Sequence, residues 1–205
     1  MKTPDDVAMQ RIRDLTKKVL GVEYVRLAVE ELTLQENVKE NKSVVSCELC
    51  LSNGINERLQ IDGTGQGLVD ALFNGMLKEL SVNYCSLQSI NFEDFTVNMT
   101  PYSQIGRTGA DSKVHVALAV NNSSNSTVHF SHESRSMNSA AISAVVNVME
   151  YYVNCELAVL MLTNCIEDAK KRNRHDLLDK YTYELTEVVR STSYVDSIKR
   201  YRQKN

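Results

Sequence analysis

Three groups of residues have types and spacings that could do chemistry. The first is Gly63-x-Gly65-x-Gly67, with Asp62 and Asp70 on either side. Glycines permit backbone angles that side chains forbid, and a glycine-lined helix N-terminus offers free N–H groups to a carboxylate or phosphate. This spacing fits a small-anion site, and equally a tight turn that binds nothing; a dinucleotide fingerprint would need G-x-G-x-x-G and an acidic residue about 20 positions on. The second group, Cys47-x-x-Cys50, has the form of a redox pair or half a zinc site. No second Cys pair completes it, and positions three apart on a strand point to opposite faces. The third is Ser131-His132-Glu133-Ser134 with His129 nearby. Adjacent strand residues cannot face one another, so this run provides neither an acid–base constellation nor a metal cage. The expectation is no catalytic residue, no metal and no cofactor.

Composition narrows the remaining classes. A chain of 205 residues, 42% hydrophobic and 24% charged, suits one globular domain with helical additions. A formal net charge of −3 gives no electrostatic reason to expect nucleic acid. The start, MKTPDDVAMQ, lacks the apolar core of a signal peptide. The most apolar helical run, Leu157 to Leu162, is far shorter than the ~20 residues that span a bilayer. A cytoplasmic protein with no membrane partner is therefore expected.

The elements that must position these residues follow from periodicity. Residues 1–22 form an amphipathic helix, Pro4 to Leu20, with Thr3 as its cap and Gly21 as its stop. Tyr24 to Leu34 alternates with one change of phase, which predicts a bulged strand. The polar run QENVKENKS reads as a long loop before a strand at Val44 to Leu51. Asn53-Gly54 signals a hairpin into a third strand from Glu57 to the glycine turn. After Gly67 the apolar period changes from two to 3.6, with Leu68, Val69, Leu72, Phe73, Met76, Leu77 and Leu80 on one helical stripe. The second half repeats this order. Its strands are Leu87 to Met99, with a phase shift near Glu93-Asp94, Lys113 to Val120, and Thr127 to Glu133. Polar stretches at Pro101 to Asp111 and Asn121 to Ser126 separate them, and a last helix is capped by Asn138 or Ser139.

The fold class is thus α+β: two βββα repeats with pseudo-twofold symmetry, at about 23–82 and 86–153 within one domain of residues 23–153. Residues 154–205 form a helical C-terminal extension, with helices at Glu156 to Arg172 and Asp176 to Arg190. Its basic end, Ser191 to Asn205, reads as a solvated or frayed terminus, with a partner-docking helix as the sharper alternative.

Three segments in order carry a resemblance to a known family. Gly65-Gln66-Gly67-Leu68-Val69-Asp70-Ala71 resembles the G-x-G-P-V-D-A signature that opens the first helix of the C-terminal regulatory domain of 2-isopropylmalate and citramalate synthases, with Leu68 in place of proline. Gly109-Ala110-Asp111-Ser112-Lys113-Val114-His115-Val116 is similar to that domain's G-x-D-A-x-G-x-V-x-V strand entry. Ser139 to Met149 is similar to its last helix, A-S-x-x-A-V-V-x-A-V-N.

The resemblance implies a homodimer that binds leucine or isoleucine, the end products of branched-chain amino acid biosynthesis, at the dimer interface near the helix N-termini. Carried over by position, Gly63, Gly65, Gly67 and Ala71 line one half-site, with Asp62 or Asp70 as partner of the ligand's ammonium. The other half-site falls on Ser131, Glu133 and Arg135, which put side chains where the family has bare G-x-G backbone and an aspartate. The synthases' catalytic barrel, about 250 residues long, and its His-x-His metal pair are not in this sequence. The expectation is a non-catalytic, amino-acid-binding regulatory and dimerisation module. The alternatives are a subunit that completes a separately encoded synthase barrel and a ligand-free scaffold or adaptor.

Overall fold

The computed structural model describes residues 4–53, 56–99, 113–122, 127–189 and 194–204. Thr3, Gly54, the stretch 101–111, Gly109 to Ser112 of the second resemblance segment, and most of the 121–126 turn lie outside them. The chain begins with α1 (Pro4–Leu20), then β1 (Arg26–Asn37), β2 (Lys42–Ser52), β3 (Asn56–Gly65) and α2 (Leu68–Leu80). A short 3-10 turn, Cys85–Ser89, leads to β4 (Asn91–Met99), β5 (Val114–Asn121), β6 (Thr127–Ser134) and α3 (Met137–Lys171). Helices α4 (His175–Val189) and α5 (Val195–Lys204) end it. The strands form two antiparallel three-stranded sheets, β1-β2-β3 and β4-β5-β6, so each βββ meander is followed by the helix that covers it.

Alternation explains the sheets. In β2, Val45, Cys47, Leu49 and Leu51 are buried while Ser46, Glu48 and Cys50 face away; in β5, Val114, Val116, Leu118 and Val120 take the inner face. The two changes of phase are both real bulges, between Val29 and Leu32 and between Phe92 and Asp94. The polar run after Leu34 is not a long loop. β1 continues to Asn37, β2 starts at Lys42, and Gln35, Glu36 and Asn37 pair with Val44, Ser43 and Lys42. These residues are polar because the hairpin tip extends beyond the covered core, and Asn41 closes the turn at φ +50°, a conformation that Asn tolerates.

Helix α3 is the centre of the molecule. It runs 35 residues without a break, about 50 Å at 1.5 Å per residue, and crosses residue 153 with no change of structure. It contains neither Gly nor Pro. Within its most apolar stretch 72% of residues are buried, so its hydrophobicity is that of a core element. Its N-cap is Ser136, whose Oγ accepts from the Ser139 N–H at 3.3 Å, rather than Asn138 or Ser139.

Buried polar groups of α3 tie distant backbone to it. Asn154 Oδ1 accepts from the Val25 N–H and its Nδ2 donates to the Val25 carbonyl, both at 2.8 Å. Glu150 accepts from the Leu27 N–H (3.0 Å) and the Tyr24 hydroxyl (3.1 Å). Glu156, only 3% exposed, accepts from the Cys85 and Ser86 N–H groups at 3.1 and 2.8 Å. Each satisfies main-chain donors that burial would otherwise leave unpaired.

The basic C-terminal end is a docked helix, not a solvated tail. Tyr194, Ile198 and Tyr201, spaced i, i+4, i+7, form a stripe hidden among the Lys and Arg residues. Tyr194 is buried, Asn164 Nδ2 donates to the Tyr201 hydroxyl at 2.8 Å, and Arg202 pairs with Glu167 at 3.0 Å. Helix α4 in turn meets α1 through Lys18–Glu184 at 3.1 Å and through Arg11, which donates to the Tyr183 hydroxyl at 2.8 Å.

Candidate functional site

The glycine run sits where α2 lies down on β3, and its geometry changes the reason for the glycines. Gly63 and Gly65 belong to the strand, and among the described glycines only Gly21 has a positive φ. What Gly63 provides is closeness. A Cβ there would overlap the Ala71 carbonyl oxygen and come within 2.9 Å of the Gly75 Cα. A Cβ on Gly65 would overlap the Asp70 carboxylate and approach the Ala71 nitrogen to 2.5 Å. Gly67 differs from both. It is the N-cap of α2 in fully extended backbone (φ −174°, ψ 179°), and a Cβ there would meet nothing within 4 Å.

No side chain caps α2 at that position, so the first-turn N–H groups of Leu68 and Val69 receive nothing from residue 67. Asp70 instead fixes the turn from inside the helix. Its Oδ2 accepts from the Gln66 N–H at 2.9 Å, and its Oδ1 accepts from Asn74 Nδ2 at 3.1 Å. Asn74 also donates to the Thr64 carbonyl at 3.2 Å, which staples the start of α2 to the end of β3.

In front of this open helix end lies a cavity of about 650 Å³. One side is Gly67, Leu68, Val69 and Asp70 of α2; facing it are Met137, Asn138 and Ala141 from the first turns of α3. Phe92 and Phe95 of β4 and Leu34 and Glu36 of β1 close the rest. The walls are thus mainly apolar, with Glu36, Gln66, Asp70 and Asn138 as the polar side chains. Phe92 is held by the buried Phe73, with ring centroids 5.6 Å apart.

The expected site residues divide into three sets. Gly67 and Asp70 line the cavity; Ala71 is buried behind them, and Gly65 and Gly63 lie progressively deeper in the helix–strand contact. Asp62 points to the outer face of the first sheet, where its Oδ1 accepts from the Ser46 hydroxyl at 2.7 Å. Ser131 and Glu133 are exposed on the face of β6 opposite the buried Phe130, with Glu133 3.9 Å from Lys113 Nζ, and Arg135 is exposed in the bend before α3. None of these last four reaches the cavity wall.

The cavity residues that sequence reasoning missed had one signal. Positions three apart on a regular strand face opposite ways, yet Phe92 pairs with Val120 and Phe95 with Leu118, both inward-facing. The bulge marked by the Glu93-Asp94 phase shift is what turns both rings to the same side. The other two groups stay apart. Cys47 is buried and Cys50 half-buried, with no disulfide between them, and burial pushes the Cys47 thiol up, away from the thiolate that a metal needs. His129 and His132 pair with Ala119 and Val116 on opposite faces, and no cluster of metal-ligating side chains occurs among the described residues.

The sequence model of the LeuA allosteric (dimerisation) domain matches residues 6–153. The chain belongs to this family. The match takes in α1, both βββα units and the first half of α3, and it ends inside that helix. No curated protein matches the chain at a significant level. As a member of the LeuA domain family, the protein is a regulatory and dimerisation module of the synthase family.

Proposed function

We propose that the protein is a non-catalytic sensor that binds an amino acid of the leucine or isoleucine type in the cavity between α2 and α3, acting as a homodimer. The observation that carries this is the pairing of an uncapped helix N-terminus at Gly67 with walls of Leu34, Phe92, Phe95 and Met137. The ligand's carboxylate takes the first-turn N–H groups of α2, where the helix dipole favours negative charge. Its aliphatic side chain lies against the two phenylalanines. Asp70 and Glu36 are the carboxylates within the same cavity that can receive its ammonium.

A thermal-shift screen against the twenty amino acids and their 2-keto and 2-hydroxy counterparts tests this. Ligand binding to the native state alone stabilises by RT ln(1 + [L]/Kd), about 2.7 kcal/mol at a hundredfold excess over Kd. Leucine or isoleucine should raise the melting temperature, and Gly67→Glu, which places a carboxylate in the cavity mouth, should abolish the rise. No shift with any amino acid would overturn the sensor reading in favour of a ligand-free scaffold.

A second reading concerns what the sensor regulates. An allosteric domain implies a catalytic unit, and here that unit is proposed to be a separately encoded synthase barrel. Co-purification of such a barrel with the tagged chain would support it; a chain that purifies only with itself would count against it.

A further inference from the structure

At the other end of β1 from the cavity, a hollow of about 400 Å³ opens between the end of α1 and the first sheet, lined by Lys17, Gly21, Val22, Tyr24, Arg26 and Ser52. Arg26 to Glu36 is ten strand steps, or roughly 33 Å, so this hollow is separate from the amino-acid cavity. Its charge is also opposite. Two cations line it and no carboxylate does.

The floor is fixed. Tyr24 is tied through its hydroxyl to Glu150 on α3, and the Val25 and Leu27 backbone on either side of Arg26 is held by Asn154 and Glu150. Lys17 is drawn over the Tyr24 ring, with Nζ 5.6 Å from the centroid, which aims the ammonium across the floor. Arg26 and Ser52 face one another in register on β1 and β2, bringing a guanidinium and a hydroxyl to one wall. Burial, and next the neighbouring Glu150, push the Tyr24 phenol up, further from an ionisation that ordinary pH does not reach in any case. Val22, 88% exposed, adds an apolar rim.

We propose that this hollow is a second ligand site, which takes the oxyanion of a small phosphorylated or carboxylated molecule with a flat apolar body. The Arg26 fork presents paired N–H donors that match two oxygens of a phosphate or carboxylate, and the Lys17 ammonium adds a point charge. Val22 and the exposed edge of the half-buried Tyr24 ring, beside Lys17, receive the apolar body.

Calorimetric titration of the full chain with phenyl phosphate, benzoate and inorganic phosphate, at low and raised salt, tests the proposal. Saturable binding is expected, tighter for phenyl phosphate than for inorganic phosphate, and the comparison with benzoate identifies which oxyanion is preferred. Lys17→Gln/Arg26→Gln should weaken phenyl phosphate binding about tenfold or more, as loss of a charge-assisted contact does. Lys170→Gln/Lys171→Gln, which removes the same charge from the far end of α3, should leave it unchanged, as should Gly67→Glu in the other cavity. Because all four lysine and arginine side chains are exposed, melting temperatures should be unaffected. No saturable binding at millimolar probe, or equal weakening by the two double variants, would overturn the site.

Discussion

The two βββα units share a topology but bring helix and strand together differently. In the first, smallness is on the strand: Gly63 and Gly65 let α2 rest its backbone on β3, and Gly67 leaves the helix end bare. In the second, smallness is on the helix. β6 carries His132 and Ser134 at the corresponding positions, on the face of Phe130, while α3 buries Ala140, Ala141 and Ala144 in its first turns and closes its own end with Ser136. The aromatic group Phe130, Tyr151 and Tyr152, with centroids 5.3 to 6.2 Å apart, then fills the space beside it. A repeat can therefore conserve its strand order while only one copy closes its helix end with a side-chain cap.

The comparison can be tested most severely at residue 153. If the second unit ended there, as the family match does, a chain truncated after Val153 would fold. It should instead lose its cooperative unfolding transition, because Asn154, Glu156 and the buried Ala158, Val159 and Leu162 all belong to the same core. A cooperative melt from the truncated chain would show that the extension is an appendage. A smaller but still large effect is expected from Gly63→Ala, which forces main chain apart and should destabilise by about 3 kcal/mol, whereas His132→Ala, at the exposed counterpart position of β6, should stay within about 0.5 kcal/mol. Denaturant midpoints measure both, and equal values would remove the distinction between the units. The smallest effects concern the caps. Ser136→Ala should cost about 1 kcal/mol, and Gly67→Ser should change stability by only a few tenths in the favourable direction while obstructing the cavity between α2 and α3.

Much of this architecture was legible in the sequence because apolar residues alternate or recur wherever an element covers them. The phase shifts in β1 and β4 appear as bulges, and the change of period after Gly67 appears as α2. Where cover stops, the signal fails. Gln35, Glu36 and Asn37 are strand residues that read as loop because all three side chains are exposed and no alternation marks them. The stripe Tyr194, Ile198, Tyr201 is too short to stand out among basic neighbours, so a docked helix reads as a tail. In the candidate site, the glycine run does lie beside the cavity, but two of its three glycines serve the helix–strand contact, since sequence cannot distinguish a residue that needs unusual backbone angles from one that needs no Cβ. The opposite walls, Leu34 and Glu36 on β1 and Met137 on α3, are far from Gly67 in the chain and share no motif with it.

The contact between Gly63 and α2 also limits how this protein can change by descent. Crowding caused by a bulky side chain can be relieved by trimming its neighbour, which gives a lineage a second chance through a compensating substitution. At Gly63 the neighbours are the Ala71 carbonyl and the Gly75 Cα, main-chain atoms that no codon can remove. A variant at this position has no partner able to suppress it, so α2 must remain where it is for as long as the fold is inherited.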